Sequence, residues 1–145
     1  MAWLIAMTVD SADIFGRDQV GIHLSAVGGY VFHPPELSEP IKEKIDNVLG
    51  LESVELNIGG SNLIGALLCG NSKGMAVADI ATESDIDLLT SYGDVVVMEG
   101  GVNTAGNLLL ANETGVVASP SIPEDGLEII SQVMKVNVVA TTIAG

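Results

Sequence analysis

The chain of 145 residues is 48% hydrophobic, which is long and apolar enough for one domain with a core and excludes an intrinsically disordered chain. Nineteen acidic residues against five basic ones give a net charge of −14, which argues against direct, sequence-specific nucleic-acid binding because phosphates would be repelled. One cysteine and no Cys/His cluster of metal-ligand spacing indicate a reducing cytoplasm and no metal or other cofactor.

The first element is the apolar stretch M-A-W-L-I-A-M at residues 1–7. It is short, lacks a basic start and runs into Asp10 and Asp13, so it predicts a strand rather than a signal peptide. Apolar runs elsewhere fall short of the roughly 20 residues that span a bilayer, and we expect no membrane partner.

Three stretches then share one order of features, starting near Gly21, Gly65 and Gly106, which are 44 and 41 residues apart. Within the second and third stretches, Asn71 and Asn112 each precede a glycine by three residues between two short aliphatic runs. Asn and Gly adopt the positive φ angles of tight turns, so each stretch predicts a β-hairpin. In the first stretch, the pair Gly28 and Gly29 predicts a hairpin that is one residue shorter.

A helix is predicted after each hairpin, starting at Ser38, Thr82 and Ser121. Apolar residues then recur every three or four positions along the first and third helices, which indicates one buried face on each, and the middle helix is predicted to be shorter. A further strand follows each helix, over Val54–Ile58, Val95–Met98 and Val136–Thr142.

The sequence therefore predicts an α/β repeat of ββαβ units in a single domain over residues 1–145, with units at about 14–60, 61–101 and 102–145. One such unit exposes apolar helix and sheet faces that it cannot bury alone, so neighbouring units must cover them. The open flanks at the two ends of the row predict either self-association or a monomer whose first or third unit is poorly protected.

The unit junction G-G-S-N-L-I-G-A-L-L-C-G-N-S-K-G at residues 59–74 resembles that of archaeal and eukaryotic translation initiation factor 6. Two further segments carry the resemblance, A-G-N-L-L-L-A-N-E-T-G-V-V-A-S-P at residues 105–120 and V-M-K-V-N-V-V-A-T-T-I-A-G at residues 133–145. The resemblance extends from about Val20 to Gly145, and it implies the pentein fold, with three of the five units of a pseudo-fivefold propeller.

The resemblance also implies a function. Members of that family bind the large ribosomal subunit, prevent its premature association with the small subunit and act in ribosome biogenesis. The residues after the strand-opening glycines would face the large subunit, which makes Ile22, Ala66 and Asn107 the candidate partner-binding residues. The net charge indicates that the contact is mainly to ribosomal protein.

The pentein fold also includes enzymes that modify guanidino groups with a cysteine nucleophile and a histidine, which makes such an enzyme the alternative function. Cys69 aligns with Leu110 of the third repeat, and His23 aligns with Leu67 and Leu108 of the second and third repeats. Such positions favour packing over catalysis. We therefore expect no enzymatic activity. A repeat scaffold without ribosomal affinity is the third possibility.

Overall fold

A computed structural model describes residues 9–99, 101 and 103–142, so the strand predicted at residues 1–7 lies outside the described residues. The first unit contains α1 (Val20–His23), β1 (Ser25–Val27), β2 (Tyr30–His33), α2 (Glu39–Leu49) and β3 (Glu52–Glu55). The second contains α3 (Ile64–Leu67), β4 (Leu68–Gly70), β5 (Gly74–Val77), α4 (Glu83–Thr90) and β6 (Asp94–Val97). The third contains α5 (Ala105–Leu108), β7 (Leu109–Ala111), β8 (Gly115–Ala118), α6 (Glu124–Met134) and β9 (Asn137–Ala140).

Each unit forms its own three-stranded sheet, in the orders β1-β2-β3, β4-β5-β6 and β7-β8-β9. The first two strands of each sheet are antiparallel, and the third joins parallel to the second through the helix. The predicted ββαβ unit is confirmed, with a one-turn helix added in front of each hairpin.

All three hairpins have loops of the same length, so the prediction of a shorter first hairpin is wrong. Val27 pairs with Tyr30 across the first loop, and the backbone N–H of Asn71 bonds to the carbonyl oxygen of Gly74 across the second, at 2.9 Å. Val27 thus occupies the position of Asn71. The first loop obtains a positive φ angle of 59° from Gly28. Asn71, Gly74, Asn112 and Gly115 do not have positive φ angles, so that part of the prediction is wrong, and the asparagine side chains instead accept hydrogen bonds from backbone N–H groups of their turns.

Two of the three predicted helix starts are confirmed. Ser38 is the N-cap of α2, and Thr82 is the N-cap of α4, where its side chain and that of Asp85 form a reciprocal capping box. The start predicted at Ser121 is wrong, because the N-cap of α6 is Pro123. The Ser121 hydroxyl instead lies 2.8 Å from that of Ser119, within the turn that precedes the helix. As predicted, α4 is the shortest of the three helices. Within the described residues, no helix is long and apolar enough to cross a membrane.

The strands that follow the helices lie close to their predicted positions, but β3 begins and ends earlier than Val54–Ile58. Its ladder continues only to Leu56, whose N–H bonds to the carbonyl oxygen of His33 at 3.0 Å. Ile58 instead pairs with Ser61 in a tight turn that leads to α3.

The helices α4 and α6 each pack against two sheets, the sheet of their own unit and that of the preceding unit. On the first sheet, Phe32 and Val54 pack with Leu89 of α4. On the second sheet, the equivalent residues Ala76 and Val96 pack with α6. Neighbouring units therefore share one apolar core through each helix, as the repeat predicts.

The equivalent face of the third sheet has no helix over it among the described residues. Leu110 of β7 is 64% exposed and Val139 of β9 is 59% exposed. This face is the open flank of the row.

Candidate functional site

The three one-turn helices α1, α3 and α5 form a row in which each contacts the next. A glycine stands second in each turn. A side chain at Gly65 would collide with the carbonyl oxygen of Gly21, and a side chain at Gly106 would collide with that of Gly65. These glycines therefore serve the close approach of one backbone to the next, because each contact leaves no room for a Cβ atom.

The structure places Ile22, Ala66 and Asn107 directly after these glycines, but within the helical turns. The interpretation of the glycines as strand-opening residues is wrong, because each strand starts only after the turn has closed. In α1 the N–H of Leu24 bonds to the carbonyl oxygen of Val20, at 3.2 Å. The row of turns thus brings the three candidate residues to equivalent positions in consecutive units.

Asn107 is exposed, whereas Ile22 and Ala66 are half-buried. The difference follows from position in the row, since the Gly106 turn packs against the backbone of Ala66 and α5 is the last turn described. The side-chain amide of Asn107 makes no hydrogen bond with the described residues. Its amide is therefore free to bind both donors and acceptors of a partner.

Cys69 lies at a junction between units. Its thiol donates a hydrogen bond to the carbonyl oxygen of Leu109 at 3.5 Å. At the equivalent position of the first unit, the Ser25 hydroxyl donates to the carbonyl oxygen of Leu68 at 2.9 Å. Burial raises the pKa of the Cys69 thiol from its ordinary value to about 11, so little thiolate is present near neutral pH. This cysteine is suited to joining units and not to acting as a nucleophile.

His23 is buried where the other two units have leucine. Its Nδ1 atom lies 3.0 Å from the carbonyl oxygen of Asn62, and its ring packs edge-on against Phe15. His23 and Cys69 bond to different carbonyl oxygens, those of Asn62 and Leu109. Among the described residues, no group of three or more side chains could hold a metal ion.

Sequence reasoning missed the role of Asn71, which it assigned only to the hairpin turn. Asn71 is 2% exposed, and its side-chain oxygen accepts from the N–H groups of Lys73 and Gly74 within the turn. Its NH₂ group also donates to the carbonyl oxygens of Asn112 and Met134 in the third unit. The repeated asparagine was the available signal, but its inter-unit partners lie 41 and 63 residues away.

Comparison with known proteins agrees with this repeat geometry. The sequence model of the eIF-6 family matches residues 9–145, nearly the whole chain. The chain belongs to the eIF-6 family. The pentein-like repeat described above is thus the form that this eIF-6 family chain takes.

Two archaeal relatives illustrate how far the similarity extends. Translation initiation factor 6 of Methanococcus maripaludis strain C5 is 38% identical over 77 residues, which cover 53% of this chain and 34% of the relative. The protein of the same name from Methanopyrus kandleri is 33% identical over 140 residues, which cover 96% of this chain and 63% of the relative. This eIF-6 family chain therefore spans less than two thirds of the length of these relatives.

Among solved structures, a DDAH from Pseudomonas aeruginosa complexed with citrulline is similar, with a TM-score of 0.54. The match has 15% sequence identity and covers 83% of this chain and 48% of that one. At this identity the likeness concerns the fold alone. It supports the pentein repeat for the eIF-6 family chain.

Proposed function

We propose that the protein is a translation initiation factor that binds the large ribosomal subunit, prevents its premature association with the small subunit, and acts in ribosome biogenesis. The observation that carries this proposal is the family match over residues 9–145, together with relatives named translation initiation factor 6. On this proposal, the protein acts in the cytoplasm.

The row of one-turn helices is the proposed contact surface. The exposed Asn107 amide, which has no partner within the described residues, is the best candidate for a direct contact, with Ala66 and Ile22 along the same row. The partner would be mainly ribosomal protein, since a net charge of −14 disfavours ribosomal RNA.

The chemistry of Cys69 supports a binding protein over a guanidino-group enzyme. Cys69 is half-buried, the pKa of its thiol is raised to about 11, and a serine makes the same junction bond in the first unit. A nucleophilic cysteine needs a lowered pKa and access to substrate.

Co-sedimentation with purified ribosomal subunits tests the proposal. We expect large subunits to retain the protein and small subunits to leave it in solution. Binding should be weaker than that of a full-length relative, because the chain spans at most 63% of the relatives compared above. Equal retention on both subunits, or none on either, contradicts the proposal. Deiminase or amidinotransferase activity that is lost in Cys69→Ala would favour the enzyme instead.

A further inference from the structure

A cavity of about 700 Å³ lies beside α1, at the end of the first sheet where its strands run into loops. Pro35 and Glu36 line it after β2, Asn57 lines it after β3, and residues 60–63 line it before α3. Phe15, Arg17 and His23 complete its wall. Its volume is in the range of small-molecule sites in proteins.

His23 presents an unused hydrogen-bonding atom at this cavity. Because the carbonyl oxygen of Asn62 can only accept, the Nδ1 atom that lies 3.0 Å from it carries the proton. With the proton on Nδ1, a neutral ring has a lone pair on Nε2. This atom is buried and has no hydrogen-bond partner among the described residues, in a residue that is 2% exposed. Such an unpaired group is destabilising unless something else satisfies it.

Backbone strain is concentrated around the same cavity. Phe15 has a φ of 54° in the turn 14–17, at the place where the equivalent turn of the second unit has Gly59 with a φ of 57°. Glu36 has a φ of 69°, although its equivalent Ile80 does not have a positive φ. Non-glycine residues avoid these angles, and strained residues of this kind cluster at binding sites. Phe15, His23 and Glu36 all depart from the repeat, and all three line this cavity.

The charges of the wall indicate what the cavity would bind. Arg17 and Glu36 are its two charged residues, and neither forms an ion pair with any described residue. A wall with one cation and one anion matches a ligand that carries both charges.

We propose that this cavity binds a free α-amino acid, with its carboxylate on Arg17, its ammonium group on Glu36, and an N–H or O–H donor on Nε2 of His23. The Phe15 ring, which is 44% exposed, packs edge-on against the His23 ring at 5.4 Å between ring centres. The site does not involve Cys69, and His23, the last residue of α1, is the one residue that it shares with the row of one-turn helices proposed to bind the ribosome.

Titration of the intact protein with each of the standard amino acids, followed by the ¹⁵N resonances of His23, tests the proposal. We expect at least one amino acid to bind and to shift the Nε2 resonance, because the lone pair accepts a hydrogen bond. The N-acetylated and C-amidated forms of the same amino acid should bind about tenfold or more weakly, since each lacks one charge. No shift with any amino acid, or a blocked form that binds as tightly as the free amino acid, overturns the proposal.

Two variants separate ligand binding from a structural role. His23→Leu restores the residue of the other units, so it should fold at least as stably as the parent and lose binding about tenfold or more. Arg17→Gln, in an exposed turn, should lose binding to a similar extent, whereas Lys44→Gln outside the cavity should not. If His23→Leu fails to fold, the Arg17 and Lys44 variants decide alone. Unchanged binding in Arg17→Gln overturns the proposal.

Discussion

The side-chain NH₂ group of Asn71 donates a hydrogen bond of 2.9 Å to the carbonyl oxygen of Met134. The bond ties the second hairpin to the last residue of α6, where a backbone carbonyl has no partner within its own helix. Asn112 makes the same turn bonds in the third hairpin, but it is exposed and joins no further unit among the described residues.

Asn71→Ala should therefore destabilise the protein by about 2 to 4 kcal/mol, because buried partners in two units lose their hydrogen bonds. Asn112→Ala is the matched control and should cost about 1 kcal/mol or less, since water can replace its exposed bonds. Urea denaturation of both variants measures the difference. Equal losses would show that the inter-unit bonds of Asn71 contribute nothing.

Alanine substitutions at the glycines of the three one-turn helices should affect stability differently, with loss at two positions and none at the third. Gly65→Ala and Gly106→Ala should each destabilise by about 3 kcal/mol or more, since the new methyl group would overlap a carbonyl oxygen of the preceding turn. Gly21→Ala meets nothing within 4 Å, and alanine favours helix, so this variant should be unchanged or up to about 1 kcal/mol more stable. Thermal unfolding of the three variants provides the comparison, and a destabilised Gly21→Ala would contradict it.

Stability should fall in alkaline solution partly because of Cys69. Burial raises the pKa of the folded thiol from about 9 to about 11, so between these values the unfolded chain loses its proton first and unfolding is favoured. The protonated thiol contributes fully to the free energy of unfolding below about pH 9, and the loss of this contribution by pH 11 amounts to roughly 2 to 3 kcal/mol. Cys69→Ser keeps a donor at the junction, as Ser25 does, and removes this titration.

Urea denaturation at about pH 8 and about pH 10 gives the free energy of unfolding of the parent and of Cys69→Ser, and the two proteins are compared at each pH. Other groups that ionise in this range cancel in the difference. The parent should lose more stability than the variant on going to the higher pH. Parallel losses would show that the thiol ionises equally in both states.

The open flank of the third sheet should promote self-association of a polypeptide made of these 145 residues. Leu110 and Val139 present apolar side chains there, whereas the equivalent positions of the first two sheets are covered by helices. Added salt should favour association by screening the charge of −14. A compact monomer in sedimentation at every salt concentration, with all three units equally protected in hydrogen exchange, would contradict this.

Charge substitution locates the associating surface. Leu110→Lys combined with Val139→Lys should abolish the salt-dependent association. Ile80→Lys, which charges an equally apolar residue that is 47% exposed outside this flank, should leave it intact.

Asn107→Asp should weaken binding to the large ribosomal subunit more than Asn112→Asp does. The first replaces an exposed amide on the proposed contact surface, and the second replaces a turn residue whose acceptor oxygen aspartate retains. Co-sedimentation gives the affinities and melting temperature gives the control. Unfolding of Asn107→Asp, or equal binding by the two variants, leaves Asn107 without support as a contact.

The sequence alone predicted the repeat because equivalent residues stand at fixed spacings, and the hairpins and two helix starts because Asn, Gly, Ser and Thr act locally. The one-turn helices were missed since I-G-A-L is too short to show helical periodicity and reads as the start of the strand that follows. The helix start predicted at Ser121 was wrong because the Ser121 hydroxyl lies 2.8 Å from that of Ser119 in the preceding turn, and Pro123 is the N-cap of α6.

For the candidate site, the sequence located Asn107 but gave no reason for its exposure, which depends on α5 being the last turn of a row. It identified His23 as out of place among leucines. It could not show that Phe15 and Glu36, 8 and 13 residues away in the chain, line the same cavity. Contacts between units and loops depend on how the sheets stack, and no local pattern encodes that stacking.

The sharing of α4 and of α6 between two sheets gives the chain a direction of assembly. The first sheet is complete at Glu55, yet the residue that covers its second face, Leu89, is synthesised only with the next unit. During synthesis each new sheet must therefore wait, with Phe32 or its counterpart uncovered, until the following helix has emerged. The nascent protein therefore exposes one apolar sheet face at a time, and this face belongs to successive units towards the C-terminus as synthesis proceeds.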